Sequence, residues 1–255
     1  MTIGDAVETG DGSYTLRHPD IDECYHSYDG AAKEARDLYI ERSGFKERLK
    51  MSSKKIKVLD VGLGLAYNAM TTIDSWWHAV EAPDLQMSSL EINHLLLDEI
   101  LKPKPSWSKA WPAVWFEFKD KIVVISDKNE QSLLRQKYPF AESFLKAVIE
   151  HPKSGSSLNW LIIVGDARKA DSLSSCGETW DFIWQDPFSP EKNPAMWSSE
   201  WFSFLKKESG DQTRLMTYSV SRKTKDALND GGWKFEKLST STRKKHWIRA
   251  ELKLQ

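Results

Sequence analysis

The chain has 255 residues, 40% of them apolar and 29% charged, with 36 basic and 37 acidic side chains giving a formal net charge of -1. That length makes one ordinary α/β domain with insertions, or at most two small domains, and the apolar share supports a hydrophobic core. The even charge excludes a polybasic nucleic-acid coat, although a local basic patch can bind RNA without a global excess.

Residues 1–12 read as a flexible, polar tail with no apolar leader, and no stretch approaches the roughly 20 apolar residues that span a bilayer. A cytoplasmic protein with no membrane contact is the expectation. Short strands are expected over residues 13–18 and 23–27, around a turn at Pro19-Asp20. Asp29 is placed to cap a helix over 30–48, with Ala31, Ala35, Leu38 and Tyr39 on one stripe. Residues 54–61 form a buried-strand pattern that runs into Gly62-Leu63-Gly64. A helix over 67–80 follows, then a strand over 85–92 that ends in an acid, then a helix over 93–101.

Residues 102–157 are irregular in tone and read as an insertion packed on the sheet. Trp107, Trp111 and Trp115 recur every four residues there, but Pro112 argues against an uninterrupted helix. That spacing points to core packing more than to base stacking. Residues 129–151 are expected to be helical. Strands follow over 160–164, before Gly165-Asp166-Ala167, and over 180–185, before Asp186-Pro187-Phe188. Then come a helix over 195–207, a strand over 214–219, a helix over 222–229 stopped by Gly231-Gly232, and a hairpin of 233–238 with 247–254. The division is an N-terminal tail, hairpin and helix (1–53) before the main domain (54–255). The alternation predicts an α/β, Rossmann-like, mostly parallel sheet with a terminal antiparallel hairpin, and ligands at the carboxyl ends of its strands.

The chemistry-bearing residues sit at those ends. Gly62 and Gly64 occupy a strand-to-helix turn where small residues let the backbone approach a ligand. A dinucleotide fingerprint would carry a third small residue at position 67, but Tyr67 stands there, which disfavours a nicotinamide-dependent oxidoreductase. A loop of this kind suits S-adenosyl-L-methionine, which has no pyrophosphate to cradle. Glu91 ends the next strand, where an acid can accept ribose hydroxyls, or simply be a surface residue. Asp166 ends the strand after that, placed to accept from an adenine amine or to cap a helix turn. Asp186 ends the fourth, beside an aromatic. There a carboxylate can hold an amine nucleophile, and either accept its proton or only anchor it by charge. His26 is a second proton-carrier candidate, or a hydrogen-bonded core histidine. Cys24 and Cys176 are far apart and no C-x-x-C pair exists, so neither a thiolate metal site nor any other metal is expected.

Residues 186–197 read D-P-F-S-P-E-K-N-P-A-M-W. This resembles the D-x-F-x-P-x-K-N-P-x-M-W segment of the methyltransferase domain of bacterial MnmC tRNA-modification enzymes. Asp11-Gly12-Ser13, Tyr25-His26-Ser27, Gly30-Ala31, Glu34-Ala35, Gly62 to Asn68, Thr217-Tyr218-Ser219 and the basic run Arg243-Lys244-Lys245 agree in order. The resemblance covers roughly residues 11–254. It implies an S-adenosyl-L-methionine-dependent N-methyltransferase that converts 5-aminomethyl-(2-thio)uridine at the tRNA wobble position into its 5-methylaminomethyl form. By match, Gly62, Gly64, Asn68, Glu91, Asp166, Ala167 and Asp186 would surround the cofactor. Tyr25, His26 and Asp186 would carry the chemistry, and Ser27, Phe188, Lys192 and Asn193 would face the base. Pro187 and Ala66 stand where the family has small residues. A chain of this length has no room for the FAD-dependent oxidase domain of bifunctional members. A basic patch of Arg222, Lys223, Lys225 and Arg243–Lys245 would meet phosphates. The competing expectations are a methyltransferase of another small amine and an inactive binding module of the same fold.

Overall fold

The computed structural model describes residues 3–174, 178–240 and 246–253. Its centre is built from largely apolar strands whose carboxyl-terminal halves are buried on both faces, as parallel strands covered by helices must be, with β4 and β8 the richest in Val, Ile and Leu. These are β4 (Ile56–Val61), β5 (Leu85–Glu91), β8 (Ser157–Gly165), β9 (Trp180–Gln185) and β10 (Ser209–Thr217). With β6 (Val123–Val124), β7 (Ala141–Glu150), β11 (Trp233–Ser239) and β12 (His246–Leu252) they form one sheet in the order β11-β12-β10-β9-β4-β5-β8-β7-β6. The five central strands are parallel and the two at each edge antiparallel. The fold is the expected Rossmann-like sheet with a terminal hairpin. The chain leaves β4 for β5 on one side and returns to β9 on the other, which opens a crevice at the carboxyl ends of β4 and β9.

Several local expectations are corrected. Ala6–Glu8 (β1) is not tail but a strand, paired antiparallel with β2 (Tyr14–His18), which pairs in turn with β3 (Glu23–Cys24). The helix expected over 30–48 is three pieces: α1 (Ala31–Glu34), a π-helical stretch (Ala35–Glu41) and α2 (Phe45–Met51). Asp29 does not cap it. Instead Ser13 Oγ accepts from the amides of Ala31 and Ala32 (3.0 and 3.2 Å), and Asp11 Oδ2 accepts from that of Lys33 (2.7 Å). Gly30 is required at this junction, since a Cβ there would lie 2.5 Å from the Asp11 carboxyl carbon.

The segment expected to be helical over 129–151 is α6 (Lys128–Lys137) followed by β7. The helix ends two residues before Pro139, and the alternation after it packs as a strand between β8 and the short β6. Residues 102–157 therefore add strands to the sheet as well as covering it. Trp107, Trp111 and Trp115 are all buried on α3 (Tyr67–Trp77), with Pro112 breaking the run before α5 (Ala113–Lys119). The helix expected over 195–207 begins with a 3-10 turn (Pro194–Trp197) before α7 (Ser199–Lys207). Among the described residues no helix is long and apolar enough to cross a membrane, and no cluster of side chains is arranged to hold a metal.

Candidate active site

The glycine loop follows β4. Gly62 has φ 90°, and a Cβ on it would lie 3.0 Å from the Asp186 carbonyl oxygen, so only glycine lets the β4 and β9 loops touch. The Gly62 and Leu63 amides donate to Leu90 O (3.2 and 2.9 Å), and the Gly64 amide donates to Glu91 Oε2 (2.8 Å). Ala66 then takes φ 63°, a left-handed turn that lets α3 start at Tyr67.

Tyr67, the residue out of keeping with a dinucleotide loop, has a definite task. Its hydroxyl accepts from the Tyr14 amide (3.2 Å) and donates to the Tyr14 carbonyl (2.9 Å). It thereby pins β2 over the start of α3 and brings the N-terminal hairpin above the strand ends.

That hairpin supplies one wall of the site. The Tyr25 amide donates to Leu16 O (3.0 Å) and the His26 amide to Thr15 Oγ1 (3.0 Å). The Ser27 amide donates to Glu34 Oε2 (3.3 Å). Tyr25 Oη accepts from Asn93 Nδ2 (3.3 Å), and burial, then the nearby Glu91 charge, push its pKa up. The His26 ring packs edge-on against Tyr67, with centroids 5.0 Å apart.

The loop after β9 supplies the opposite wall, and hydrogen bonds pin the D-P-F-S-P-E-K-N-P-A-M-W segment at several points. Asn68 Nδ2 donates to Asp186 Oδ2 (2.7 Å). Tyr39 lies buried beside Asp186; burial first, then that carboxylate's charge, drive its pKa well up. The Tyr218 hydroxyl donates to Pro187 O (2.9 Å), and Trp197 Nε1 donates to Phe188 O (2.7 Å). Ser189 Oγ donates to Glu23 Oε2 (2.8 Å), joining this loop to the hairpin. The Lys192 and Asn193 amides turn back onto Ser189 O (2.9 and 2.8 Å).

Between the walls lies a cavity of about 700 Å³, within the range of small-molecule and cofactor sites. It brings together Tyr25, His26, Ser27, Gly62, Gly64, Glu91, Asp166, Ala167, Asp186, Phe188, Lys192 and Asn193; Asn68 stands behind Asp186 rather than on the surface. Glu91 is 7% exposed and takes three backbone amides, from Gly64, Ile92 and Asn93; burial raises its pKa against their pull. Asp166 is held bidentately by Arg168 (2.7 and 2.8 Å), which lowers its pKa and occupies both oxygens at the cavity rim. Arg222 is exposed and paired with Asp226, while Arg243–Lys245 and Cys176 lie outside the described residues.

Three groups that sequence reasoning passed over belong to this region. His18 and Glu34 line the cavity. Asp60 lies beneath the glycine loop with no exposed surface and accepts one hydrogen bond, from Ser89 Oγ (2.8 Å). Burial, with the charges of Asp186 and Glu91, pushes its pKa up to about 8. Its place two residues before the first glycine of the G-x-G turn was the signal available for Asp60; for His18 there was none.

Residues 128–253 match the S-adenosyl-L-methionine-dependent methyltransferase family. The chain is 23% identical over 225 residues to the tRNA 5-methylaminomethyl-2-thiouridine biosynthesis bifunctional protein MnmC of Azoarcus sp., covering 88% of this chain and 31% of that protein. MNMC2 from Aquifex aeolicus, a crystal structure, superposes with a TM-score of 0.69 at 26% identity, covering 98% of this chain and 71% of that one. The chain carries an MnmC-like methyltransferase domain. An uncharacterized protein of Methanocaldococcus jannaschii is also 26% identical over 239 residues, covering 94% of this chain. This chain spans 57% of that archaeal protein's length and about a third of the MnmC proteins'.

The MnmC-like domain uses S-adenosyl-L-methionine, and the residues present fit it. Gly62 lets the β4 loop run against the Asp186 loop with no side chain between them, and Glu91 stands buried at the next strand end, where it accepts from the Gly64 amide. Carboxylates of Glu23, Glu34, Glu91 and Asp186 line the cavity, suiting a cationic cofactor and a cationic amine.

Proposed function

We propose that this chain methylates the amine of 5-aminomethyl-(2-thio)uridine at the wobble position of tRNA, giving 5-methylaminomethyl-(2-thio)uridine. The observation that carries this is Asp186. It sits at the carboxyl end of β9 against the glycine loop, is steadied by Asn68, and is followed by Phe188 in a segment pinned by Trp197 and Tyr218. Likeness to MnmC proteins over most of the chain supports the substrate.

The backbone of Gly62 and Gly64 and the Glu91 carboxylate hold the cofactor, with Asp166 and Ala167 at the far end of the cavity. When bound, S-adenosyl-L-methionine supplies an electrophilic methyl group. Asp186, already accepting from Asn68, anchors the substrate amine by charge and aligns it. An ammonium is no nucleophile until it loses a proton, and His26, which lines the same cavity, is the group assigned to take it. Tyr25 and Phe188 wall the base, and Ser27, Lys192 and Asn193 contact its edges and the adjoining phosphate. With the reactants held in this orientation, positioning does much of the work.

The test is incubation of the purified protein with methyl-labelled S-adenosyl-L-methionine and bulk tRNA from cells that cannot complete the wobble modification. The digested nucleosides are then identified by mass spectrometry. Label in 5-methylaminomethyl-uridine or its 2-thio form is the expected result. Label confined to free amines would replace this substrate with a small metabolite, and no label in any acceptor would make the chain a binding module.

A further inference from the structure

His18 ends β2 at the mouth of the cavity, next to the two aromatic residues assigned above to the base. Its ring stands edge-on to Phe188 (centroids 5.5 Å apart, planes at 86°) and 5.9 Å from Tyr25, while Tyr25 and Phe188 are 4.8 Å apart. Three rings from two loops thus form one wall, and the Ser189–Glu23 hydrogen bond holds those loops together.

The imidazole is fixed in more than position. Nδ1 accepts from the backbone amides of Asp20 and Ile21, each at 3.2 Å. A ring nitrogen that accepts carries no proton, so the neutral ring carries its hydrogen on Nε2. Burial lowers the His18 pKa and favours that neutral form. Nε2 has no hydrogen-bond partner among the described residues, and the side chain lines the cavity.

Resting on the wobble-uridine reading, we propose that His18 is a specificity-determining residue whose fixed Nε2–H donates to a ring carbonyl of a planar acceptor base. Uracil presents carbonyl oxygens on either side of its N3–H, and both are acceptors. Cytosine places an amino group where uracil has the carbonyl nearer the 5-substituent, and a fixed donor would face another donor there. Leaving that pair unmatched is expected to cost roughly 10- to 100-fold in kcat/KM. Phe188 and Tyr25 supply a face for the ring without distinguishing one base from another, so of the three rings it is His18 that reads an edge of the base, beside the contacts assigned to Ser27, Lys192 and Asn193.

The test uses two anticodon stem-loop RNAs that differ only in carrying 5-aminomethyl-uridine or 5-aminomethyl-cytidine at the wobble position. Wild type is compared with His18→Asn and His18→Phe. Asparagine can still accept the backbone amides of the turn, but has neither the ring nor its reach; phenylalanine keeps the ring and lacks the donor. Wild type is expected to prefer the uridine substrate. Both variants should raise KM for it about 10-fold or more, keep kcat and cofactor affinity near wild type, and lose the preference. If phenylalanine unfolds the hairpin, seen as a lowered Tm, the asparagine variant decides. A variant that folds and keeps the wild-type preference overturns the role of His18, as does a wild type that methylates both RNAs equally; either result leaves the wobble-uridine reading standing. A wild type that methylates neither RNA overturns the reading and the role of His18 together.

Discussion

Asp60→Asn isolates a charge that the fold keeps out of water. Asp60 has no exposed surface, accepts among the described residues only from Ser89, and is held protonated up to a pKa of about 8 against an ordinary 3.8. The folded pKa is raised, so the folded state binds the proton that the unfolded state has released. This contribution to stability is fully present below the unfolded value and is lost as pH rises through the folded one. Between those limits it falls by about 1.4 kcal/mol per pH unit, or about 4 kcal/mol from pH 5 to pH 8. Asparagine keeps the acceptor for Ser89 and cannot ionise. Its amide nitrogen would replace Oδ1, which has no partner among the described residues, at a pH-independent cost of about 1–3 kcal/mol. The two stability curves should therefore cross, with Asp60→Asn weaker at about pH 4 and stronger near pH 8. Urea unfolding of both proteins at unit pH intervals, without cofactor, measures the difference and cancels the titrating groups that do not sense Asp60. A difference that stays within about 1 kcal/mol over that range would show that Asp60 ionises normally and that the reasoning is wrong.

Three further outcomes are expected. Glu91→Ala should weaken S-adenosyl-L-methionine binding by about 1–3 kcal/mol, read by calorimetry, because ligand hydroxyls lose their buried acceptor; unchanged affinity would take Glu91 out of the site. Asp186→Ala should lower turnover roughly 100-fold or more while leaving cofactor affinity largely intact; equal losses in both would make it a cofactor residue instead. Tyr67→Phe removes the hydroxyl that bonds both the amide and the carbonyl of Tyr14, and should lose about 1–3 kcal/mol of stability and raise the KM for RNA more than it changes cofactor affinity. Loss of cofactor binding alone would instead place Tyr67 with the glycine loop.

The strands that carry the site were legible because parallel strands buried on both faces read as apolar runs, and because glycine or an acid ends each of them. Gly62, Glu91, Asp166 and Asp186 are all at such ends. What failed were short elements whose state depends on distant partners. Ala6–Glu8 becomes a strand only because Tyr14–His18 lies beside it. Ala141–Glu150 has helix-tolerant residues but follows a proline and finds an open edge on β8. The cap of α1 was assigned to the nearest acid, whereas a turn 18 residues away supplies it. Tyr67 showed only that a dinucleotide loop was absent; its bond to Tyr14 is a tertiary fact. The Arg168 fork on Asp166 was hidden for the same reason, since side chains two residues apart meet only where the backbone turns.

The anchor at Tyr67 has a consequence for how such an enzyme can change its target. What holds the cofactor comes from strand ends in the parallel sheet, whereas His18, Tyr25 and His26 come from a hairpin that shares no sheet with them. The two are stitched together at a few places, Tyr67 with Tyr14, Asn93 with Tyr25, and Ser189 with Glu23. A lineage that conserved those stitches and His26 could rewrite the rest of the hairpin, acquiring a new acceptor while inheriting its methyl chemistry intact.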